Sequence, residues 1–303
     1  INDFKGDTDW VREITRTPVS QTHYVSLQGG NARTNYLASV TYNDKQGIYK
    51  GSFDESLTAK LSINHAMFDD RFKIALNVSN KIVTQGIVPD DLYMQALSRN
   101  PTIPVYNADG SYNWDNNGYL RLEENGVGDT QFNETLNPVA LALEIDDVRE
   151  RLNMQGSVYA SYEFIDGLEY KITAGGDYYN YSRNYYRPSY IPLKNKANYK
   201  DPSNPTAKSI TNSYFHWTLS NQLSFSRRFG DHSLNAVAVW EAEKEHVKTS
   251  QIVGTGVKGD DKIRTTKGKT IDPAETYNNE YAYTFASWLV RAQYSHKGRY
   301  MVP

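Results

Sequence analysis

The sequence predicts an all-β fold made of one antiparallel sheet, and three observations predict it. Apolar and polar residues alternate with a period of two along most of the chain, which is typical of strands with one apolar and one wet face. Turns rich in Gly, Asp and Asn separate the alternating runs. Short and long connections alternate strictly along the chain, so every long connection lies at the same end of the sheet.

About ten strands are predicted from these alternating runs. In chain order the runs are His23–Gln28, Tyr36–Tyr42, Leu57–Ile63, Phe72–Val78, Leu152–Phe164, Leu168–Tyr178, Trp217–Phe225, Leu234–Trp240, Trp288–Tyr294 and Arg299–Val302. The run Leu152–Phe164 is much longer than the usual globular strand of about five or six residues. It is long enough to cross a bilayer at a tilt, which takes about nine to eleven residues.

The connections fall into two length classes. Short turns are predicted at Gly29–Asn31, Phe68–Asp70, Ile165–Gly167, Phe229–Asp231 and His296–Gly298, and long connections at Asn43–Gly51, Gln85–Asp146, Asn184–Thr211 and Val247–Glu280. Outer-membrane barrels show this asymmetry, with short periplasmic turns and long extracellular loops. We therefore predict a transmembrane antiparallel β-barrel. A soluble all-β carbohydrate-binding or structural domain is the alternative, because a sandwich also leaves one face of each sheet to water.

Composition excludes several classes of protein. No apolar window approaches the roughly 18 residues of a spanning helix, which excludes a helical membrane protein. The absence of Cys excludes disulfides, a thiol nucleophile, an iron–sulfur cluster and a Cys-based zinc site. A net charge of −2 without a basic run argues against nucleic acid. The mean hydropathy of −0.68 is in the range of soluble proteins. A membrane barrel can have an equally polar mean, because only alternate residues of its strands face lipid.

Tyrosine is over-represented, with 24 Tyr against 10 Phe and 5 Trp. Aromatic residues near predicted strand ends are expected to form interfacial girdles: Tyr162, Phe164, Tyr185, Tyr186, Trp217, Trp240, Tyr283 and Phe285. Other aromatics cluster in loops beside amides and acids, which is the mixture that binding pockets use. The predicted substrate-binding residues are Tyr106, Tyr112, Trp114, Tyr119, Tyr185 and Tyr186. The competing interpretation is that the loop aromatics form a small core that holds the loop together.

The longest connection carries predicted structure of its own. Pro89–Leu97 and Pro138–Ile145 are predicted to be short helices, since each begins with Pro and carries apolar residues on one side. Between them, Val105–Trp114 is predicted to be a small hairpin around Asn-Ala-Asp-Gly. A structured loop of this length is usually functional.

Catalytic and metal-binding patterns are weak, so no catalytic residue, metal or cofactor is predicted. None of the six His has the spacing of a metal site. Three acid pairs occur, Asp90-Asp91, Asp146-Asp147 and Asp260-Asp261. Their positions suit, in that order, the start of a helix, the start of a strand and a loop. A further alternative is a small outer-membrane barrel enzyme in which such loop acids activate water. Asn107, Asp109 and Ser111 have the spacing that opens a calcium loop but lack its final Glu. Gly254–Gly259 lacks the context of a phosphate loop.

Several segments resemble one family of transporters. They are Thr8–His23, Val25–Gly30, Asn35–Ile48, Asn100–Gly110 and Trp288–Tyr300, and they are similar to stretches of the SusC/RagA family of TonB-dependent outer-membrane transporters. The resemblance implies a barrel of about 22 strands, a plug domain in the lumen and a TonB box. Plug and TonB box are not recognised in residues 1–303. We therefore expect the chain to be part of a single barrel domain whose plug and other strands lie elsewhere in a longer polypeptide.

The resemblance also implies a function and partners. It implies active import of glycans or oligopeptides across the bacterial outer membrane, with a SusD-like surface lipoprotein as partner. It further implies energy from TonB, delivered through the plug region, and strands in contact with outer-membrane lipid.

Overall fold

The computed structural model describes residues 5–114, 136–191, 205–256, 270–298 and 300–302. Residues 300–302 are described by their backbone alone. The described residues form one sheet of 11 strands in which the long strands pair antiparallel with their neighbours in sequence. The strands are β1 (Ser20–Gly30), β2 (Thr34–Gln46), β3 (Phe53–Met67), β4 (Phe72–Gly86), β5 (Asp146–Ile165), β6 (Leu168–Arg187), β7 (Thr206–Phe229), β8 (His232–Thr255), β9 (Thr270–Ile271), β10 (Tyr277–His296) and β11 (Tyr300–Val302). The predicted all-β antiparallel fold is confirmed.

All ten predicted strands are present, but the lengths of the first nine were underestimated. Both β7 and β8 contain 24 residues. The predicted long connection Val247–Glu280 was too wide, because β8 continues to Thr255 and β10 begins at Tyr277. Likewise Asn184–Thr211 was too wide, since β6 ends at Arg187. The alternation disappears where both faces of a strand are wet, so the apolar pattern ends before the hydrogen-bonded strand does.

One face of the sheet carries an apolar band. On β4 its members are Phe72, Ile74, Leu76, Val78 and Ile82, with Asn80 as the one polar residue among them. This span is about the length that a tilted strand needs to cross the hydrocarbon core. The cross-strand register continues the band, because residues directly opposite each other share a face: Leu61 pairs with Val78, and Leu223 pairs with Ala238. In an outer-membrane barrel such a face meets lipid. Among the described residues, no helix is long and apolar enough to cross a membrane.

Aromatic side chains border this band, but not all of those predicted to do so. At the turn end, Phe72, Tyr162 and Tyr170 are directly opposite one another on the apolar face. The prediction was wrong for Tyr283 and Phe285. They lie directly opposite Glu245 and Glu243 on the polar face of the sheet. In this strand the even-numbered residues face lipid, so Tyr283 and Phe285 cannot belong to a lipid-facing girdle. Trp217 and Trp240, expected near strand ends, lie in the middle of β7 and β8, on the apolar face.

The buried core of the described chain lies at the long-loop end of the sheet. Three short helices contribute to it, α1 (Trp10–Ile14), α2 (Leu92–Ser98) and α3 (Pro138–Glu144). Its buried side chains are Trp10, Ile14, Leu92, Ala96, Ile103, Leu136, Val139, Leu141, Ala142 and Ile191. They come from the segment before β1 and from the connections that follow β4 and β6. The convergence confirms that these connections share one end of the sheet.

The helices compare well with their predictions, with one omission. The helix predicted at Pro138–Ile145 is α3, where the Asn137 side chain accepts hydrogen bonds from the N–H groups of Val139 and Ala140. The helix predicted at Pro89–Leu97 begins later, at Leu92, because the Leu92 N–H donates to the Pro89 carbonyl in a turn. Helix α1 was not predicted, since five residues are too few for a periodic signal. Its one local sign is Asp9, which caps the helix by accepting from the Arg12 N–H.

A glycine allows the connection between β2 and β3 to approach this core. Gly51 has a φ of +86°, and a Cβ there would lie 2.4 Å from the Ala142 carbonyl oxygen of α3. Both the conformation and the close contact exclude a side chain. The Arg16 guanidinium ties the same connection to the segment before β1 by donating to the carbonyls of Gly47 and Ser52.

The two faces of β4 predict opposite responses to one substitution. We expect Leu76→Arg, in the middle of the apolar band, to reduce folding stability in phospholipid vesicles by about 2–4 kcal/mol, the cost of a cation at the bilayer midplane. The matched control is Asn77→Arg, the next residue and on the polar face, which should cost far less. The measurement is urea unfolding of the full-length polypeptide. Equal losses for the two variants would contradict the assignment of the faces.

Candidate ligand-binding surface at the long-loop end

The hairpin predicted at Val105–Trp114 is present and brings three predicted site residues together. Tyr106 and Tyr112 form its bridge, with ring centroids 5.1 Å apart, and Tyr112 lies 6.1 Å from Trp114. Tyr112 and Trp114 pack against the buried core, whereas 47% of Tyr106 remains exposed. The aromatics therefore form a small core on one side and present Tyr106 on the other.

Buried polar groups hold this hairpin against α3. The Asn137 amide, which is fully buried, donates to the Val105 carbonyl at 2.8 Å and to the Asn113 carbonyl at 3.2 Å. The Arg99 guanidinium also donates to the Asn113 carbonyl, at 2.8 Å. Because these carbonyls are removed from water, each bond also avoids the cost of an unpaired buried acceptor.

The Glu144 carboxylate joins two of the connections. Its Oε1 accepts from the Tyr112 hydroxyl at 2.8 Å, and its Oε2 accepts from the Tyr190 hydroxyl at 2.6 Å. Burial and then the hydrogen bond to Glu144 raise the pKa of Tyr112 above its usual range. Tyr190 belongs to the connection after β6, so Glu144 links that connection to the hairpin of the longest loop.

The segment Asn107–Ser111, whose spacing resembles the start of a calcium loop, is the tip of the hairpin. The Asp109 carboxylate accepts from both the hydroxyl and the backbone N–H of Ser111, which lowers the pKa of Asp109. The Asn107 amide donates to the Ser111 hydroxyl at 3.0 Å. Each polar side chain of the motif is thus used within a turn. In the described part of the chain, no group of three or more His, Asp or Glu side chains is arranged to hold a metal ion.

Tyr185 and Tyr186 occupy opposite faces at the end of β6. Tyr186 is only 6% exposed and packs with Ala207, so its ring presents little surface. Tyr185 lies on the polar face, where the Arg183 guanidinium is 5.8 Å from its ring centroid. Burial raises the pKa of Tyr185. Tyr119 lies outside the described residues, as does the acid pair Asp260-Asp261.

The acid pair Asp146-Asp147 contributes an ion pair. Asp147 accepts two hydrogen bonds from Arg183, at 2.7 Å and 2.6 Å, in the bidentate geometry that arginine favours. The Arg149 guanidinium lies 3.8 Å from the same carboxylate, which is only 7% exposed. The buried charge is therefore compensated, and it fixes the entry of β5 against β6. The remaining pair, Asp90-Asp91, precedes α2, and the Gln95 amide donates to the Asp91 carboxylate at 2.9 Å.

Sequence analysis missed an acidic and tyrosine-rich part of the polar face. Glu245 of β8 accepts hydroxyl hydrogen bonds of 3.2–3.4 Å from three tyrosines, Tyr214, Tyr281 and Tyr283. In the same cross-strand row, His216 lies 3.7 Å from Asp177 and 3.6 Å from Glu243. The signal was available, because Glu241, Glu243 and Glu245 alternate along the chain. These residues were overlooked because the predicted strand ended at Trp240, whereas β8 continues to Thr255.

These features define a class of protein. Long antiparallel strands carry a lipid-facing apolar band and a polar opposite face, and the long connections meet in a structured cluster at one end. This is the architecture of an outer-membrane β-barrel.

Comparisons with known proteins define the class further. The chain is 29% identical over 249 residues to TonB-dependent receptor P3 of Formosa agariphila, covering 78% of this chain and 23% of that protein. It is 30% identical over 207 residues to TonB-dependent receptor SusC of Bacteroides thetaiotaomicron, covering 59% of this chain and 20% of that protein. No family model matches the chain. Among solved structures, the RagAB peptide transporter superposes with a TM-score of 0.70 at 19% identity, covering 98% of this chain and 32% of that chain.

Over 78% of its length the chain is similar to a TonB-dependent receptor, and its fold is that of the RagAB transporter. These likenesses place the chain in the bacterial outer membrane. It spans about a quarter or less of the length of these curated relatives. The relatives are named receptors rather than enzymes, and the resemblance to SusC/RagA transporters stated from the sequence is confirmed.

The bond between Tyr112 and Glu144 predicts a local loss of stability. We expect Tyr112→Phe to lower the free energy of local opening of residues 105–114 by about 1 kcal/mol, since one partly buried hydrogen bond is removed. Hydrogen exchange of peptides from that segment is the measurement. Tyr93→Phe is the control, because Tyr93 is an exposed tyrosine of α2. Unchanged protection in Tyr112→Phe would show that the hairpin is held by packing alone.

The Asp147–Arg183 pair predicts a larger effect. We expect Arg183→Met to cost about 3 kcal/mol in urea unfolding, because it leaves a buried carboxylate without its main partner. Adding Asp147→Asn to that variant should recover part of the loss by removing the charge. Arg149→Met is the comparison and should cost no more than about 1 kcal/mol, as for a loosely held pair. Equal losses of stability in Arg183→Met and Arg149→Met would contradict the assignment of Arg183 as the main partner of Asp147.

Proposed function

We propose that this chain forms part of the wall and the extracellular rim of a TonB-dependent transporter that imports glycans or oligopeptides. The observation that carries the proposal is the two-faced sheet. Its apolar band suits lipid, while its opposite face carries carboxylates, guanidinium groups and hydroxyls that suit a wet lumen. The sequence similarity to TonB-dependent receptors supports the same function.

The barrel wall is proposed to continue beyond this chain. Strands β1 and β10 each have one long partner among the described strands, β2 and β8, and lipid does not tolerate unpaired backbone groups. We therefore propose that further strands of the same polypeptide complete the barrel, so that residues 1–303 form part of one barrel domain. A lumenal plug in that polypeptide would receive energy from TonB.

A SusD-like surface lipoprotein is the proposed partner at the long-loop end. Support comes from the similarity to SusC and from the fold shared with the RagAB transporter. The three-helix cluster gives this end a fixed surface, because its side chains pack into one core. A partner that meets a fixed surface loses less free energy to ordering than one that meets flexible loops.

Tyr106 and Tyr185 are the predicted site residues whose rings are best placed to meet a substrate. Tyr106 is exposed above a packed partner, Tyr112, which holds it in place. Tyr185 lies on the polar face beside Arg183. Flat aromatic faces stack on sugars or on apolar side chains, and neighbouring charged groups orient the polar parts of a ligand.

Growth of a deletion strain tests the proposed function. We expect loss of growth on some members of a panel of glycans and oligopeptides, restored by the full-length gene on a plasmid. A strain without TonB should show the same defect with the receptor present, since import requires energy. Growth that is unaffected on every substrate, or a defect that is independent of TonB, would overturn the proposal.

The proposed tyrosines give a second test in the complemented strain. We expect Tyr106→Ala together with Tyr185→Ala to reduce the initial rate of substrate uptake about tenfold, equivalent to about 1.4 kcal/mol of lost binding. Tyr93→Ala, at an exposed tyrosine of α2, is the control and should leave uptake unchanged. Receptor abundance in the outer membrane is measured for each variant. Normal uptake by the double variant at normal abundance would remove both residues from the site.

A further inference from the structure

A cluster of basic and aromatic side chains lies at the turn end of β7, β8 and β10, on the lipid-facing side of the sheet. Phe229, His232 and His296 are directly opposite one another in the last cross-strand row. Arg227 and Tyr294 flank them in the row above. We call these five residues the turn-end rim. They share the face of Leu223 and Ala238, because strand residues two apart lie on the same side.

The members of the rim contact one another. The His232 and His296 rings have centroids 4.6 Å apart, and His232 hydrogen-bonds the Tyr294 hydroxyl through its Nδ1. The Arg227 guanidinium lies 5.4 Å from the centroid of the Phe229 ring. Imidazole N–H groups and a guanidinium are thus collected at one edge of the apolar band.

Arg227 differs from three other cations near the turns. Arg33, Arg71 and Lys297 pair with aspartates of neighbouring turns, at 3.3 Å, 3.4 Å and 3.7 Å. In the described chain no carboxylate lies within ion-pair distance of Arg227, whose charge instead rests against Phe229. Asp231, in the same turn, pairs with Lys297 instead, so the Arg227 guanidinium can donate to an external anion such as a phosphate.

Beyond the row of Arg227, Leu234 and Tyr294, the lipid-facing side carries small side chains, Ala236 and Ala238 on β8 and Ala292 on β10. We call this strip of small side chains the furrow. The next two rows place large side chains beside them, with Phe225 opposite Ala236 and Leu223 opposite Ala238. The furrow ends after roughly 13 Å, four residues of strand, where two tryptophans, Trp240 and Trp288, meet with ring centroids 6.2 Å apart.

We propose that the turn-end rim binds the phosphate of a membrane phospholipid whose acyl chain lies in this furrow. Charge complementarity selects the head group, because guanidinium and imidazole N–H groups donate to phosphate oxygens. The position selects a lipid rather than a soluble anion. The rim lies where the apolar band ends, at the level of lipid head groups, and the furrow continues from it toward the bilayer centre. This lipid site lies at the periplasmic end of the barrel, away from the proposed substrate-binding tyrosines at the long-loop end.

Native mass spectrometry of the full-length receptor in detergent tests the proposal. The probes are phosphatidylglycerol, the diacylglycerol with the same acyl chains, and inorganic phosphate alone. We expect phosphatidylglycerol to remain bound, and we expect the other two to bind at least about tenfold more weakly, since each lacks one half of the recognition. Equal binding of diacylglycerol would remove the phosphate site, and equal binding of inorganic phosphate would make the rim a simple anion site. Either result overturns the proposal.

Variants locate the lipid on the rim. Arg227→Gln should lower the affinity for phosphatidylglycerol about tenfold. Arg33→Gln, which removes an ion-paired cation from another turn, should not change it. Ala238→Phe fills the furrow without altering a charge, and it should also weaken binding. Heat-modifiable mobility on gels confirms that each variant is a folded barrel. A folded Arg227→Gln receptor that binds the lipid as tightly as Arg33→Gln does would overturn the proposal.

Discussion

The structure depends on one constraint: within hydrocarbon, every backbone N–H and C=O must find a partner in the sheet. The described strands satisfy it through long, uninterrupted registers, such as the continuous pairing of β7 with β8 from Thr206 to Phe229. In the register between β5 and β6, the irregularity falls between Glu163 and Ile165, next to a turn. Pairing is therefore regular where lipid is present, and irregularity is confined to the edge of the membrane.

The same constraint explains where the buried core lies. One face of the sheet is committed to lipid and the other to water, so the sheet itself does not bury side chains as a soluble sandwich would. The connections at the long-loop end must then supply their own core. Trp10, Leu92 and Ile191 come from three separate parts of the chain and pack together there, with Gly51 allowing a fourth part to approach. Loop order thus comes from packing between loops.

Period-two alternation allowed the strands and their pairing order to be predicted, because lipid on one face gives a strong apolar signal. The signal disappears beyond the membrane, which is why the ends of β6, β7 and β8 were misplaced and the row of Glu241, Glu243 and Glu245 was overlooked. Caps and prolines located α2 and α3, whereas α1 was too short to detect. Long-range pairs such as Tyr112 with Glu144, or Arg227 with Phe229, depend on which strands and loops meet, and no local pattern contains that information.

The long-loop end combines a fixed frame with an exposed contact. Tyr106 has 47% of its surface exposed, yet its strand is held by Asn137, and its neighbour Tyr112 is held by Glu144. A ring that is already positioned loses little conformational entropy when a ligand stacks on it, so more of the contact energy remains as affinity. Glu144 also holds Tyr190, so the hairpin and the connection after β6 share an anchor. Displacing one of them must break or stretch a charge-assisted hydrogen bond, and the two connections are therefore mechanically linked at the proposed entrance.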